Sequence, residues 1–165
     1  PRHRLFQRRN HGGKMKITLS MLEKACEPQR ALFAELFGQE VELTLELCIE
    51  HAAKFNWCWA AQNLLPPKSQ AAYDKALATA SEAYDNAIDS ADAAFDKALA
   101  PARADYDKAI ASADYDKARD SASADFDKAI DYASAAYNKA IDSARAAYNK
   151  AIATAFFNAA TMEEK

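Results

Sequence analysis

One hydrophobic pattern recurs from residue 71 to residue 156. The units read AAYDKALATAS, EAYDNAIDSAD, AAFDKALAPAR, ADYDKAIAS, ADYDKARDSAS, ADFDKAIDYAS, AAYNKAIDSAR and AAYNKAIATAF; seven have 11 residues and one has nine. Each carries an aromatic at its third position: Tyr73, Tyr84, Phe95, Tyr106, Tyr115, Phe126, Tyr137 and Tyr148. Ala follows at +3, Leu or Ile at +4 and Ala at +7; the +4 set includes Leu77, Ile88, Leu99, Ile130, Ile141 and Ile152, with Arg119 as the exception in the fifth unit. Offsets of three, four and seven share one face of a helix. The pattern therefore predicts long amphipathic helix with an aromatic–aliphatic–Ala stripe and an opposite face of Asp, Lys and Ser. Eleven residues in three turns is about 3.67 per turn, which favours a straight or slightly right-handed assembly over a left-handed heptad coil.

The nine-residue unit lies between Tyr106 and Tyr115. At about 100° per residue, 11 steps return the stripe to its face, whereas nine leave it about half a turn away. One partner helix cannot follow such a stripe. Either the chain turns near residue 110, or a continuous helix offers its two halves to different partners. A hairpin gives arms of similar length, 68–110 and 113–160. It sets Tyr106 beside Tyr115, Phe95 beside Phe126, Tyr84 beside Tyr137 and Tyr73 beside Tyr148, with Ser112 as N-cap and Asp114 in the first turn of the returning helix. The segment IASAD has no Gly or Pro to mark a turn, and Pro101 must kink the first arm or begin a new helix. One long kinked helix and a bundle with several breaks remain the alternatives.

Residues 15–65 show shorter helical patterns. Thr18 or Ser20 can cap a helix running to about Cys26. Pro28 suits the first turn of a second, ended by Gly38; Thr44 can cap a third, LELCIEHAAKF, and Asn56 a fourth, WCWAAQNLL. Leu32, Phe33, Leu36, Phe37, Leu45, Cys48, Ile49, Ala52, Phe55, Trp59 and Leu64 recur at helical spacing and form the expected core. Trp57 and Trp59 point in different directions on a helix, one into the core and the other toward the arm or a contact patch. The expected architecture is all-α: a small helical head at 15–65, a linker at 66–70, the repeat arm at 71–156 and a tail at 157–165. About fifty residues make a marginal domain on their own, so the head is expected to lean on the arm or a partner.

Charge divides the chain unevenly. Residues 1–14 hold five Arg/Lys and no acid, and the formal net charge of the whole is −3. That segment, PRHRLFQRRNHGGK, reads as a translated leader or added segment ahead of a native start at Met15. The rival is a basic arm for nucleic acid, but the chain from Met15 onward is acidic and gives such an arm no basic surface to extend. Apolar runs of about five residues fall far short of the ~20 of a membrane span. Three Cys without a secretory signal read as reduced thiols in a cytosol.

Candidate chemistry is sparse. Cys26, Cys48, His51 and Cys58 make a Cys3His set, with Cys48 and His51 on one helix face, and a zinc there would stabilise a small head. There is no CxxC, and buried Cys more often serves as a small hydrophobe. The Asp pairs 105/107, 114/116 and 125/127 sit two apart, hence on different faces, and recur with the repeat, which suits solvation and not a singular catalytic site. No phosphate loop or nucleophile–base pair stands out, so no catalytic residue is assigned.

The head pattern reads AC at 25–26, Gln29, Leu32-Phe33, Phe37-Gly38, Val41, Thr44, Glu46, Cys48, Ala52, Phe55, Trp57, Trp59-Ala60-Ala61 and Leu64-Leu65, followed by A.Y.KA.A.A. units. Together these resemble uncharacterised bacteriophage and prophage proteins that join such a head to Ala-rich repeats. The resemblance implies a phage or bacterial cytoplasmic setting and points to no particular activity. The leading expectation is a non-catalytic helical assembly, spacer or interaction protein that self-associates or docks a partner protein through its stripe, without cofactor, nucleic acid or membrane span. The alternatives are an amphipathic lipid-surface helix or stress-type 11-residue repeat protein, and a zinc-stabilised head acting as a binding module. An acidic polar face argues against the lipid surface, and the regular aromatic content against a disordered stress protein.

Overall fold

A computed structural model describes residues 15–111 and 115–162, with side chains at 115, 116 and 118 outside the description. The expected leader at 1–14, the cap Ser112, Asp114 and the Tyr115 side chain therefore lie outside the described residues. The chain forms two compact units: residues up to 81 joined by those from 147 onward, and Glu82–Ala146.

The first unit begins with a departure from expectation. Residues 18–26 do not form a capped helix. Strand β1 (Lys16–Thr18) pairs antiparallel with β2 (Glu40–Glu42), Ile17 opposite Val41. The ribbon is prolonged at both ends, by Leu43 N–H to the Met15 carbonyl at 2.8 Å and Leu19 N–H to the Gln39 carbonyl at 2.9 Å. Ile17 and Thr18 are β-branched and fit an extended backbone. The Thr18 and Ser20 hydroxyls bond each other at 2.9 Å instead of capping, and only a 3-10 turn, Leu19–Leu22, follows.

The other head elements keep their expected starts. Helix α1 (Glu27–Phe37) has Pro28 in its first turn and closes on Gly38, whose φ of 70° is left-handed and whose N–H donates to the Ala34 carbonyl. Helix α2 (Leu45–Glu50) is capped by Thr44 Oγ1, which accepts from Leu47 N–H at 3.2 Å. It is shorter than the sequence implied and releases Phe55 into a loop. Helix α3 (Trp57–Leu64) is capped by Asn56 Oδ1, accepting from Trp59 N–H at 2.9 Å.

Helix α4 (Pro67–Ile110) starts at the second proline, where a missing N–H costs nothing. Of the expected linker 66–70, residues 67–70 are thus the first turn of a helix. From that first turn Gln70 Nε2 reaches the carbonyls of Ala61, Gln62 and Leu65 at 3.3, 3.0 and 3.1 Å and satisfies the end of α3. Helix α5 (Tyr115–Thr161) runs through most of the expected tail. Its last turns bury Ile152, Ala153, Phe156 and Ala159 in the same core as Ile17, Phe33, Cys48, Trp57, Leu64 and Tyr73. The core is therefore only partly the one expected. Phe33, Cys48, Ala52 and Leu64 are buried, Leu32, Phe37, Leu45, Ile49, Phe55 and Trp59 are half-buried, and Leu36 is exposed.

In the second unit α4 and α5 lie antiparallel. Tyr106 stacks on Phe126 and Phe95 meets Tyr137 edge-on, both with ring centroids 5.9 Å apart. Helix α4 ends at Ile110, within the nine-residue unit, and α5 begins at Tyr115. Helix α4 runs unbroken through Pro101. That residue is exposed, so water can take the carbonyl freed by its missing N–H. These two ring contacts fall one repeat further along α5 than the expected pairs, while Tyr73 interacts with Tyr148 as expected. Tyr137 also interacts electrostatically with Tyr84, so it lies between two rings of α4. Ala91 sits between Tyr84 and Phe95 on the stripe and is buried, and its small side chain leaves the room an interleaved ring needs. Ala133 does the same between Phe126 and Tyr137, at 2 % exposure.

Candidate binding site in the head unit

The head unit contains an apolar cavity of about 350 Å³. The ribbon gives it Ile17 and Val41, α1 gives Phe33 and Phe37, α3 gives Trp57, Trp59 and Ala60, and the end of α5 gives Phe156. Its walls follow from the local structure. Gly38 lets α1 stop and the chain turn back into β2, which presents Val41 beside Ile17. Early termination of α2 frees Phe55 to stack on Phe37 at 6.0 Å and meet Trp57 edge-on at 6.1 Å. Trp57 Nε1 donates to the Ala52 carbonyl at 3.0 Å, which fixes the indole and satisfies its one polar atom. Trp57 then tilts against Phe156 at 5.4 Å.

Polar residues at the cavity are mostly committed to backbone. Gln29 Nε2 donates to the Lys54 carbonyl and its Oε1 accepts from Asn56 N–H, both at 3.0 Å, pinning the loop between α2 and α3 to α1. Asn56 Oδ1 serves as the α3 cap. Lys24 is the one charged side chain among the described residues that line the cavity. Behind the wall, the His51 ring meets Phe37 at 5.3 Å and Phe55 at 6.3 Å, both edge-on, and its buried Nδ1 has no hydrogen-bond partner among the described residues.

The Cys3His set is spread through the unit. Cys26 is exposed at the cavity, Cys48 is fully buried and Cys58 half-buried, and all three are free thiols. Among the described residues no group of three or more His, Cys, Asp or Glu is placed to hold a metal ion. Burial, with the Glu46 charge adding to it, pushes the Cys48 thiol up to about 12, so this sulfur is held protonated as a core group. Tyr73 Oη donates to Cys58 Sγ at 3.4 Å, and burial followed by that contact raises the Tyr73 phenol.

The stripe aromatics with described side chains, and Leu77, Ile88, Leu99, Ile130, Ile141 and Ile152, are buried or half-buried, whereas Ile110 at the end of α4 is exposed. Tyr73 and Ile152 belong to the head core; Leu99 is buried in the second unit, where Tyr84, Ile88, Phe95, Tyr106, Phe126, Ile130, Tyr137 and Ile141 are half-buried. Leu77 and Tyr148 pack on the head core from its edge. The hydrogen bond of Tyr137 to Asp92 raises its phenol above the usual range. Sequence reasoning missed Ile17, Leu22, Val41, Leu43 and Phe156 as cavity wall. The Trp57–Trp59 pair, both lining the cavity, was the signal for it.

Among the described residues no helix is long and apolar enough to cross a membrane. No family model, curated protein or solved structure matches the chain.

Proposed function

We propose that this chain is a non-catalytic helical interaction protein, with the α4–α5 pair as spacer and the head unit as its binding end. The observation that carries the reading is the state of the stripe. Its aromatics meet one another within the pair, so the adhesive face is satisfied inside the chain, while the faces left to water carry Asp, Lys and Ser. An amphipathic lipid-surface helix needs that stripe free, which weighs against this alternative. The head, in contrast, keeps half-buried Phe37, Val41, Phe55 and Trp59 around an open apolar cavity. We infer a bacterial cytoplasmic setting from its free thiols and from the resemblance its head pattern suggests. The reading requires no cofactor.

A second form of the reading has its own support. Both helices carry the same repeat, so the stripe of one copy fits that of another as well as its own, and a partner or second copy can exchange for it. Light scattering on the full chain separates the two. A monomer near 18.1 kDa is expected for a closed pair. A stable dimer means the stripe is shared between copies. The binding end is tested by affinity capture from bacterial lysate with the full chain, Trp59→Glu and Lys128→Ala. Specific capture lost only with Trp59→Glu is the expected result. Loss with Lys128→Ala alone would move the binding end to the helical pair.

A further inference from the structure

We propose that the head cavity is a site for a small apolar molecule with one anionic end, of the class of a medium-chain carboxylate. The proposal rests on the reading of the head as the binding end, and it adds what that end holds.

Size is the first argument. At about 350 Å³ the cavity lies near the small end of the ~300–1,000 Å³ typical of small-molecule sites, which favours a compact ligand over a dinucleotide or haem. Its lining is the second. Phe37, Val41, Phe55 and Trp59 supply half-buried apolar walls, and a hydrocarbon body gains by leaving water for such a surface. Charge is the third. Among the described residues no carboxylate lines the cavity, and the one charged lining side chain is Lys24, exposed at its edge. Gln29 uses both ends of its amide on backbone and Asn56 Oδ1 is a helix cap, so neither amide oxygen turns an acceptor on the anion, and Lys24 is the charged anchor for a polar end. An anion held there keeps its hydration on one side while its tail enters the cavity, the arrangement that costs least for a charged amphiphile.

Both tryptophans of the chain, Trp57 and Trp59, line the cavity, so intrinsic fluorescence reports its occupation directly. The full chain is titrated with octanoate, 1-octanol and octylammonium below their aggregation limits. Saturable changes ranked octanoate, then octanol, then octylammonium are expected. Lys24→Ala should weaken octanoate by about three- to fivefold, the range of an exposed ion pair, and leave octanol unchanged. Ala60→Phe, which places a ring in the cavity from α3, should abolish both while helical circular dichroism is retained. Octanol binding as tightly as octanoate, with no effect of Lys24→Ala, would overturn the anionic end. Absence of saturable binding by any of the three would overturn the site. Either failure would leave the monomer mass and lysate capture unaffected, so the spacer reading stands or falls separately.

Discussion

Phe156, near the end of α5, packs against Trp57, the first residue of α3, with ring centroids 5.4 Å apart, and Phe156 is fully buried. The contact joins the two sequence segments of the head unit in one core. Phe156→Ala removes a fully buried ring and should cost about 3–5 kcal/mol, whereas Phe156→Leu should cost under about 1.5 kcal/mol. Denaturant titration followed by tryptophan emission measures both. Equal small losses would mean that the ring is dispensable to the head.

Ala133 is nearly inaccessible, whereas Ala135, two residues on, is exposed. Ala133→Leu should destabilise the second unit by about 1–3 kcal/mol through overpacking, and Ala135→Leu should be close to neutral. Thermal melts followed at the helical band compare the pair. A neutral Ala133→Leu would show that the helices do not approach closely there.

Inserting Ala-Thr after Ala111 restores 11 residues to the short unit without rotating either helix against the other. That variant should melt within about 0.6 kcal/mol of the parent, since lengthening a connection costs little. The same insertion after Asp89 turns the stripe of α4 by about half a turn beyond that point and should abolish the Phe95–Tyr137 and Tyr106–Phe126 contacts. Circular dichroism should then show early melting of part of the helix. Equal tolerance of both insertions would break the link between repeat phase and pairing.

Alkaline pH should loosen the head. Cys48, raised from an ordinary 9.0 to about 12, and Tyr73, raised above 10.0, both stay protonated in the folded state beyond the pH at which the unfolded chain releases its protons. The stability they support is complete below about pH 9 and falls as pH rises past it, by up to about 1.4 kcal/mol per pH unit for each group. Urea midpoints taken between neutral pH and about pH 11 should decline, less steeply in Cys48→Ala than in Cys26→Ala. Identical slopes in the two variants would remove Cys48 from the account.

Much of this fold is legible where one residue type settles one local choice. Thr44, Asn56 and Gly38 act where their side-chain or backbone chemistry predicted, and the nine-residue unit marks the break between two helices. The β1–β2 ribbon was not legible, because three-residue strands show no usable period and Ile17 finds its partner only through Val41, far along the chain. The ring register was legible only to within one repeat: Tyr137 interacts with Tyr84 and Tyr73 with Tyr148, as expected, but Phe95 and Tyr106 meet the rings one repeat further along α5, because the rings interleave where Ala91 and Ala133 admit them. The cavity was hidden for a related reason. Its wall combines the ribbon, α1, α3 and the far end of α5, and nothing local announces such a meeting.

The head core takes residues from both ends of the described chain, with Phe156 and its neighbours supplied last. During translation the ribosome therefore delivers Trp57, Phe33 and Leu64 long before the side chain that covers them. The emerging head waits, apolar surface open, until α5 has been made, and slow synthesis or premature termination within the repeats would expose it to chaperones and proteases.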